Sequence, residues 1–343
     1  MLTIYPPYYK QFRCIADLCP DTCCAGWEVV IDKKFQNIYK NSDTPAAKLA
    51  TQKMYTDKDG DICLELTNGR CPMLNSSNLC MLYIDMGSDA LCEVCRIYPR
   101  FFKEANDCTI AVISLSCPEA ARIILNDDSE KAIDHASFLK SDDDKVFFEI
   151  YNSLVKIITD KKFFDCDFEK LCDVADELVF NKAEFAPKLV EECFINETAD
   201  YSPGFARLVA EAFPSLEYLT LELPDLIEQF KNLVKDTDKF KLYLPKADNL
   251  FGEIINSKES QNLAIYYLYK YMWEAIEDGD IELWVKRAYA MARLVCELYC
   301  FENADSTPIN WQRYLRLAQL VSKEIEHNID NLEIFENFCI AGI

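Results

Sequence analysis

The sequence has few of the residues on which common cofactor-binding and hydrolytic sites depend. Its 343 residues include only eight glycines and two histidines, His135 and His327. The glycines do not form the G-x-G-x-x-G pattern of dinucleotide-binding folds, and no G-x-x-x-x-G-K-[S/T] phosphate-binding loop is present. Two histidines are also too few to supply the ligands of the His-rich metal sites found in many hydrolases. The sequence therefore argues against a Rossmann-type domain, P-loop chemistry and His-based metal hydrolysis.

Long apolar runs are also missing. Every apolar stretch is interrupted by charge before it reaches the roughly 18 to 20 residues that cross a bilayer. The N-terminus, MLTIYPPYYKQFRC, has no basic start, apolar stretch and small-residue cleavage site of a secretory signal. We therefore expect a cytoplasmic protein, in which cysteines stay reduced and clustered thiols more often bind metal than form disulfides.

Positive charge is scarce in the second part of the chain. Residues 1–125 carry 13 Lys and Arg against 15 Asp and Glu, whereas the remaining residues carry 23 against 43. An acidic field repels nucleic acid and anionic membranes, both of which need Lys and Arg for binding. We expect neither as a partner. Solvation of helix faces explains the acidity most simply, although the same field would attract a lysine-bearing protein.

The pattern of apolar residues divides the chain into two parts. The first contains short elements, with strands predicted at WEVVID (27–32), ICLEL (62–66) and TIAVISL (109–115), and a hairpin turn at Asn68-Gly69. From about residue 126, apolar residues recur three and four apart, and the clearest stripes predict helices over 264–276, 281–298 and 311–325. We predict a mostly α protein, with a small Cys-rich metal-binding α+β domain at 1–125 and an acidic all-α domain at 126–343.

Two further helices are predicted beside cysteines. Ser88 or Asp89 can cap the segment ALCEVCRIY, which Pro99 would end, and this helix would place Cys92 and Cys95 on one face. Pro118 suits the first position of the next helix, which places Cys117 at its N-cap, where a thiolate is favoured.

The cysteines are the strongest chemical signal. There are 17 of them, and 11 lie between Cys14 and Cys117. Zinc takes about four thiolates, and a cubane iron-sulfur cluster takes four, or three with one open iron. Two sites, or one site with spare thiols, are both compatible with the nine predicted metal ligands, which are Cys14, Cys19, Cys23, Cys24, Cys71, Cys80, Cys92, Cys95 and Cys117.

The remaining cysteines have simpler interpretations. Free cysteine is among the most buried residue types, and Cys63 and Cys108 fit a packing role as well as a ligand role. The six cysteines after residue 160, including Cys296 and Cys300 at helical spacing, lie in apolar helix faces, and we predict that they belong to the core.

Four cysteine-containing stretches occur in the order FRCIADLCPDTCCAGWEVVID, CPMLNSSNLCMLY, LCEVCRIYPRF and SLSCPEAARIIL. In that order they resemble the flagellin lysine N-methylase family, and the N-terminal part also resembles the wider CxxCxxCC family of zinc- or iron-chelating domains. The resemblance covers residues 12 to about 125, while the helical half matches mainly in length, character and the EIEHNIDNL segment around His327.

The resemblance implies an activity and its cofactors. The activity is S-adenosylmethionine-dependent N-methylation of lysine side chains on flagellin or another lysine-bearing protein, with an iron-sulfur cluster of the 4Fe-4S type held by the cysteines. Zinc is the other metal considered. Arg96, Tyr98 and Arg100 are our candidates to contact a carboxylate of S-adenosylmethionine near the cluster, although a surface or packing role explains them equally well.

The mechanism and two other readings stay open at this stage. Cys19 and Cys23 give the first interval of the C-x3-C-x2-C motif of radical enzymes, but Cys24 follows at once, and methylation of a neutral amine needs no radical. One alternative is a non-catalytic zinc-binding protein with an acidic interaction surface, and another is a thiol redox enzyme using Cys92 and Cys95. We interpret the aromatic stretch 266–273 as core, and His327 as a hydrogen-bonded residue near a helix end.

Overall fold

A computed structural model describes residues 2–105, 108–134, 142–160, 202–306 and 308–342. His135 and three of the late cysteines, Cys166, Cys172 and Cys193, lie outside these ranges. The strands are β1 (Leu2–Ile4), β2 (Met54–Thr56), β3 (Ile62–Leu64), β4 (Arg100–Ala105) and β5 (Cys108–Ile113). Short 3-10 turns occur at Pro7–Gln11, Ala16–Leu18, Ser88–Ala90 and Phe213–Ser215.

Helices dominate the described part of the chain, and the predicted mostly α fold with a small α+β N-terminal part is confirmed. None of these helices is long and apolar enough to cross a membrane. They are α1 (Lys33–Lys40), α2 (Pro45–Lys53), α3 (Met81–Met86), α4 (Glu93–Ile97), α5 (Pro118–Leu125), α6 (Asp142–Thr159), α7 (Pro203–Ala212), α8 (Glu222–Lys235), α9 (Thr237–Ile255), α10 (Lys258–Asp278), α11 (Ile281–Asn303), α12 (Trp311–Glu326) and α13 (Ile329–Gly342).

Several predicted elements are confirmed. The TIAVISL strand is β5, which lies between β1, its parallel neighbour, and β4, its antiparallel neighbour. Asn68 and Gly69, both with positive φ, form the predicted two-residue turn between Thr67 and Arg70. The three clearest stripes are the helices α10, α11 and α12, and Cys117 is the N-cap residue of α5.

The strand predicted at WEVVID is wrong. Only Val30 bridges to Cys63 of β3, while the Ile31 N–H donates to the Ile62 carbonyl over 2.7 Å. The extended segment is cut short because the Asp32 side chain accepts from the Phe35 N–H and starts α1. The predicted ICLEL strand likewise reduces to the three residues Ile62–Leu64.

The helix predicted to begin at Ser88 or Asp89 instead begins at Glu93. Ser88–Ala90 forms a 3-10 turn, after which Leu91 and Cys92 are extended. The Ala90 carbonyl accepts from the Tyr39 hydroxyl over 2.6 Å, and the Asp32 carboxylate accepts from the Glu93 N–H over 3.1 Å. Tyr39 belongs to α1, and Asp32 is its N-cap residue. Contacts from these two residues, rather than a cap at Ser88 or Asp89, therefore determine where α4 begins, and Cys92 is its N-cap residue.

Two hydrophobic cores underlie this arrangement. A small core is built from residues between Val29 and Cys92, and includes Phe35, Tyr39 and Leu64. The large core unites the helical half with β1, β5 and α5. Within it, the Tyr269 hydroxyl lies 3.1 Å from the carbonyls of both Ile4 and Ala111. The four tyrosines of the 266–273 stretch are fully buried, which confirms that this stretch is core. The domain boundary near residue 125 stays a prediction, because β1, β5 and α5 pack with the helical half.

Two glycines give opposite expectations for alanine substitution. Gly279 ends α10 with φ of 82°, in the left-handed region, so Gly279→Ala should destabilise the fold by roughly 1 kcal/mol. Gly252 lies inside α9 with open space around its Cα, so Gly252→Ala should stabilise it by about 0.5–1 kcal/mol. Urea unfolding of both variants measures the two effects, and equal signs would contradict this reading of the backbone.

Candidate functional site

The nine cysteines predicted as ligands converge on one region of the molecule. Cys23 lies near its centre: it is an electrostatic neighbour of five other predicted ligands, and its Sγ is 3.9 Å from Cys24 Sγ. Cys14 is likewise an electrostatic neighbour of Cys19, and Cys92 is a neighbour of Cys71 and Cys80. The five thiols that feel Cys23 are Cys19, Cys71, Cys80, Cys95 and Cys117.

Backbone pairing brings separate stretches of chain to this region. The Cys71 N–H donates to the Cys24 carbonyl over 2.7 Å, and the Gly26 N–H donates to the Gly69 carbonyl over 2.9 Å. Gly26 has φ of 96°, a conformation that favours glycine, and its Cα faces Leu219 of the helical half. The Asn68-Gly69 turn thus carries Cys71 back beside Cys24.

The sulfurs are close together but do not form a compact tetrahedral set. A zinc ion with Zn–S bonds of about 2.3 Å would hold its sulfurs about 3.8 Å apart. In the described ranges, no three of the nine sulfurs lie within 4.8 Å of one another. The donor set is chemically suited to thiophilic metals, and its spacing is wider than one tetrahedral ion needs.

The protonation of these thiols follows from burial and from mutual repulsion. Burial raises the pKa of Cys71 to about 11 and that of Cys117 to about 12. A hydrogen bond between Cys92 and Cys95 lowers the pKa of Cys92 and raises the pKa of Cys95. Cys92 is therefore the more readily ionised member of that pair, and metal binding by the buried thiols must displace protons.

The other cysteines lie elsewhere. Cys108 is fully buried in β5, and Cys296, Cys300 and Cys339 are fully buried in helices, which confirms the core prediction for those three late cysteines. Cys63 donates to Asp57 over 3.5 Å. Among the residues that the structure describes, the only three potential metal ligands whose ligand atoms lie within 4.8 Å of one another are Glu28, Asp57 and Cys63, a combination that the sequence analysis did not identify.

The three residues predicted to contact S-adenosylmethionine have different surroundings. Arg96 is exposed and pairs with Glu93 over 3.4 Å. Arg100 donates to the Phe12 carbonyl over 3.1 Å, and its guanidinium lies 4.7 Å from the Phe12 ring centre. Tyr98 turns instead toward Ser116. No hydrogen bond or ion pair in the described ranges joins the three, and their role stays a prediction.

A polar cluster lies between the thiols and α12. His327 Nε2 is 2.7 Å from Ser116 Oγ, which is also 2.7 Å from Ser114 Oγ and 3.0 Å from the Tyr98 hydroxyl. The His327 ring stacks on Trp27, with 4.8 Å between ring centres. We call these five residues the histidine cluster. As predicted, His327 is hydrogen-bonded at a helix end, since it is the C-cap residue of α12.

Sequence reasoning missed the other members of this cluster as a group. Ser116 immediately precedes Cys117, and Trp27 follows Cys24 by three positions. Their proximity to the predicted ligands was a usable signal, but nothing local pairs them with a residue about 200 positions later. Burial is the main cause that lowers the pKa of His327 below its usual range, and the positive charges of Lys270 and Lys323 lower it further. The negative charge of Glu326 opposes this shift but does not cancel it. The ring is thus neutral near pH 7, although the residue as a whole remains exposed.

A carboxylate ties the first cysteine loop to the helical half. Asp21, located between Cys19 and Cys23, accepts from Arg316 and Gln319, both over 3.0 Å, and pairs with Lys323 over 3.4 Å. Burial alone would raise the pKa of Asp21, but Lys323, the Thr22 N–H and Arg316 outweigh burial, and the net effect lowers this pKa. We call this set of contacts the Asp21 clamp.

We expect Asp21→Asn to destabilise the protein by about 1–3 kcal/mol, because the buried Lys323 ammonium loses its carboxylate partner. The wild-type contribution should be complete at neutral pH and lost as pH falls through the lowered pKa of Asp21. Urea unfolding at pH 7 and pH 3 measures both effects. The matched control is Asp305→Asn, which removes an exposed pair with Lys246. Equal stability of the two variants at pH 7 would contradict the clamp.

Three curated proteins are similar to the chain. Two, both named lysine-N-methylase, come from Salmonella choleraesuis and Salmonella typhimurium, and they are 29% and 30% identical over 141 residues, which is 39% of this chain and 35% of each relative. The third, flagellar biosynthetic protein FliU of Salmonella muenchen, is 30% identical over 134 residues, which is 37% of this chain and 79% of that relative.

The matches cover different shares of the three relatives. The chain spans only about a third of the length of the two lysine-N-methylases. No protein-family model and no solved structure matches the chain. The match to FliU covers 79% of that relative at 30% identity, and both other relatives are named lysine-N-methylase. The chain therefore belongs to the flagellin lysine N-methylase family.

Proposed function

We propose that this protein transfers a methyl group from S-adenosylmethionine to lysine side chains of flagellin or a similar protein, and that its cysteines hold an iron-sulfur cluster. The names of its relatives support lysine methylation and a flagellar substrate. The observation that carries the cofactor part is the position of Cys23, which is an electrostatic neighbour of five other predicted ligands and lies 3.9 Å from the sulfur of Cys24.

The spacing of the sulfurs favours a polynuclear cluster over a single zinc ion. Several irons and bridging sulfides separate the terminal thiolates further than one tetrahedral ion does, and among the described residues no three of the nine sulfurs lie within 4.8 Å of one another. Nine thiols also exceed the needs of one cubane, which leaves spare thiols or a second site. When bound, a cluster with one open iron can take the amino and carboxylate groups of S-adenosylmethionine, which orients the methyl group.

The protein's own residues must supply a neutral amine and hold it in place. A lysine ammonium has an ordinary pKa of about 10.4, so most substrate lysines are protonated at neutral pH and have no lone pair for attack. The histidine cluster lies beside the thiols, because both Cys117 and Cys23 contribute to raising the pKa of Tyr98 after burial, the largest cause. Polar side chains therefore lie next to the predicted metal ligands.

The test is to purify the protein without oxygen, measure iron, zinc and acid-labile sulfide per chain, and incubate it with flagellin and S-adenosylmethionine carrying a labelled methyl group. We expect about four irons per chain with matching sulfide, and label on flagellin lysines detected by mass spectrometry. Zinc alone with no methyl transfer would replace this proposal with the non-catalytic zinc-binding reading. Methyl transfer by a zinc-loaded, iron-free protein would keep the activity and remove the cluster.

A further inference from the structure

A cavity of about 490 Å³ lies where α8 meets the end of α11 and the start of α12. Three carboxylates line it, those of Glu222 and Asp225 from α8 and that of Glu302 from α11. Helical spacing puts Glu222 and Asp225 on one face of α8, and Gln229 follows them one turn later. Asp225, Gln229 and Glu302 are exposed, so a group arriving from solvent can reach the cavity. We call this cavity the acidic pocket.

One basic side chain of the protein already lies in this pocket. The Arg313 guanidinium donates to both carboxylate oxygens of Glu302, each over 2.5 Å, and it also contacts Glu222. Burial alone would raise the pKa of Glu222, but hydrogen bonds from Arg313 and Arg316 outweigh burial and lower this pKa, so the carboxylate is charged at neutral pH. Asp225, by contrast, makes no hydrogen bond or ion pair within the described part of the chain. The pocket therefore holds one cationic group and keeps one carboxylate for another.

The rest of the wall is apolar. Leu226 is only 5% exposed, and Phe301 is half-buried beside it in the lining. A long basic side chain can bury its methylene stem against apolar surface while its charged end reaches a carboxylate. The combination of an apolar wall with a free carboxylate at the opening therefore matches a basic side chain of another protein.

The free acceptors favour a lysine ammonium over a metal ion or a guanidinium. A divalent ion needs several oxygens close together, whereas the three carboxylates of the pocket form no set within 4.8 Å among the described residues. Asp225 and Gln229 offer acceptors from two residues one helical turn apart. The three N–H groups of an ammonium point in different directions and can reach both, whereas the donors of a guanidinium lie in one plane.

Arg316 connects the acidic pocket to the first cysteine loop. This side chain donates to Glu222 over 2.8 Å and to Asp21 over 3.0 Å, so one guanidinium spans the two carboxylates. Asp21 lies between Cys19 and Cys23, which are two of the predicted metal ligands. A protein segment anchored in the pocket would therefore lie close to the loop that carries these ligands.

We propose that the acidic pocket is a docking site for the substrate protein, in which a lysine ammonium of that protein binds Asp225 and Gln229 and its methylene stem packs on Leu226 and Phe301. This lysine is not the one that is methylated. Neighbouring carboxylates favour the charged ammonium, which has no lone pair for attack on a methyl group. The pocket thus holds the substrate protein while a different lysine reaches the reacting centre. The inference rests on the proposed function and names the surface that recognises its substrate.

Asp225→Lys tests the pocket, because it replaces the free carboxylate with an ammonium that fills the pocket and repels an incoming lysine. Glu253→Lys is the matched control, since it makes the same charge change at an exposed position of α9 outside the lining. In calorimetry at about 0.05 M salt, we expect flagellin to bind Asp225→Lys about tenfold more weakly than wild type, and Glu253→Lys within about twofold of wild type. The difference should shrink at about 0.5 M salt, where screening is stronger.

Acetylation of the flagellin lysines identifies the bound group. Acetylated flagellin should bind wild type and Asp225→Lys with equal affinity, because the ammonium that distinguishes them is gone. A difference that persists after acetylation would overturn the assignment to lysine. With unmodified flagellin, equal affinities of wild type and an Asp225→Lys protein with a normal unfolding midpoint would overturn the docking site.

Steady-state kinetics of the metal-loaded full-length protein separate docking from chemistry. We expect KM for flagellin to rise about tenfold in Asp225→Lys while kcat stays within about twofold, because the pocket binds ground state and transition state equally. A fall in kcat with unchanged KM would overturn the docking role and leave the proposed function standing. If wild type transfers no methyl group but binds flagellin in an Asp225-dependent manner, the proposed function fails and the docking site stands.

Discussion

Cys23→Ala is expected to remove most of the metal from the protein, whereas Cys63→Ala leaves the metal content unchanged. Cys23 is an electrostatic neighbour of five of the other predicted ligands, so its loss affects the centre of the thiol set rather than its edge. Loss of one thiolate ligand should weaken metal binding by at least about tenfold, since even outer-shell substitutions have effects of that size. Cys63 is the matched control because it is buried and reduced but has Asp57 and Glu28 as neighbours.

The measurement is iron, zinc and sulfide per chain after purification without oxygen, for wild type and both variants. Because burial raises the pKa of Cys71 and Cys117, loading must release protons, and the metal content should fall as the pH is lowered. If Cys23→Ala kept the metal content of wild type, the prediction would be wrong, and another thiol would have to replace Cys23 as a ligand. Equal loss in Cys63→Ala would place the metal at the Glu28 and Asp57 side instead.

The second large effect is expected from Glu326→Gln, which should destabilise the fold by about 3–5 kcal/mol. Lys270 and Glu326 form a buried ion pair between α10 and α12, with side chains 10% and 4% exposed, and the Tyr271 hydroxyl donates to the same carboxylate. Burial lowers the pKa of Lys270. On Glu326 burial alone would raise the carboxyl pKa, but the Lys270 ammonium and the hydrogen bonds from Ser322 and Tyr271 together outweigh it and lower this pKa. Glutamine would leave the ammonium buried without an opposite charge.

Two controls isolate the effect of the pair. Lys270→Met combined with Glu326→Gln removes both charges and should recover much of the lost stability, because replacing a buried pair costs less than breaking it. Asp43→Asn removes an exposed pair with Lys48 and should cost less than about 1 kcal/mol. In Glu326→Gln, stability should improve as pH rises through the lowered pKa of Lys270, since deprotonation removes the unpaired charge. Urea unfolding over pH 7 to 10 checks this, and a loss below 1 kcal/mol at pH 7 would contradict the expectation.

The sequence was most informative where the determining contacts are local. Asn68-Gly69 dictates its own turn, and Pro118 after Cys117 marks its own helix start, so both were predictable. The helices α10, α11 and α12 carry stripes long enough to exclude a strand. The cysteines could be grouped because their density along the chain far exceeds that of packing thiols.

Contacts between distant segments account for the errors. Tyr39 accounts for the displaced start of α4 by donating to the Ala90 carbonyl, 51 positions away. His327 meets Ser116 across 211 positions, and one sequence without homologues contains no sign of that pairing. The grouping of the cysteines was therefore predictable from the sequence, and the polar side chains beside them were not.

The Asp21 clamp also bears on the order in which the site is assembled. Asp21 and Arg316 are 295 positions apart, so during synthesis the cysteine loop emerges long before the helix that holds it. Domains form from the N-terminal side while later residues are still being made, and contacts of such large separation close last. We expect the thiols to remain reachable by a metal donor until α12 docks. Docking of α12 would then cover the thiols after a metal has bound, and the same step would bring His327, its C-cap residue, next to them.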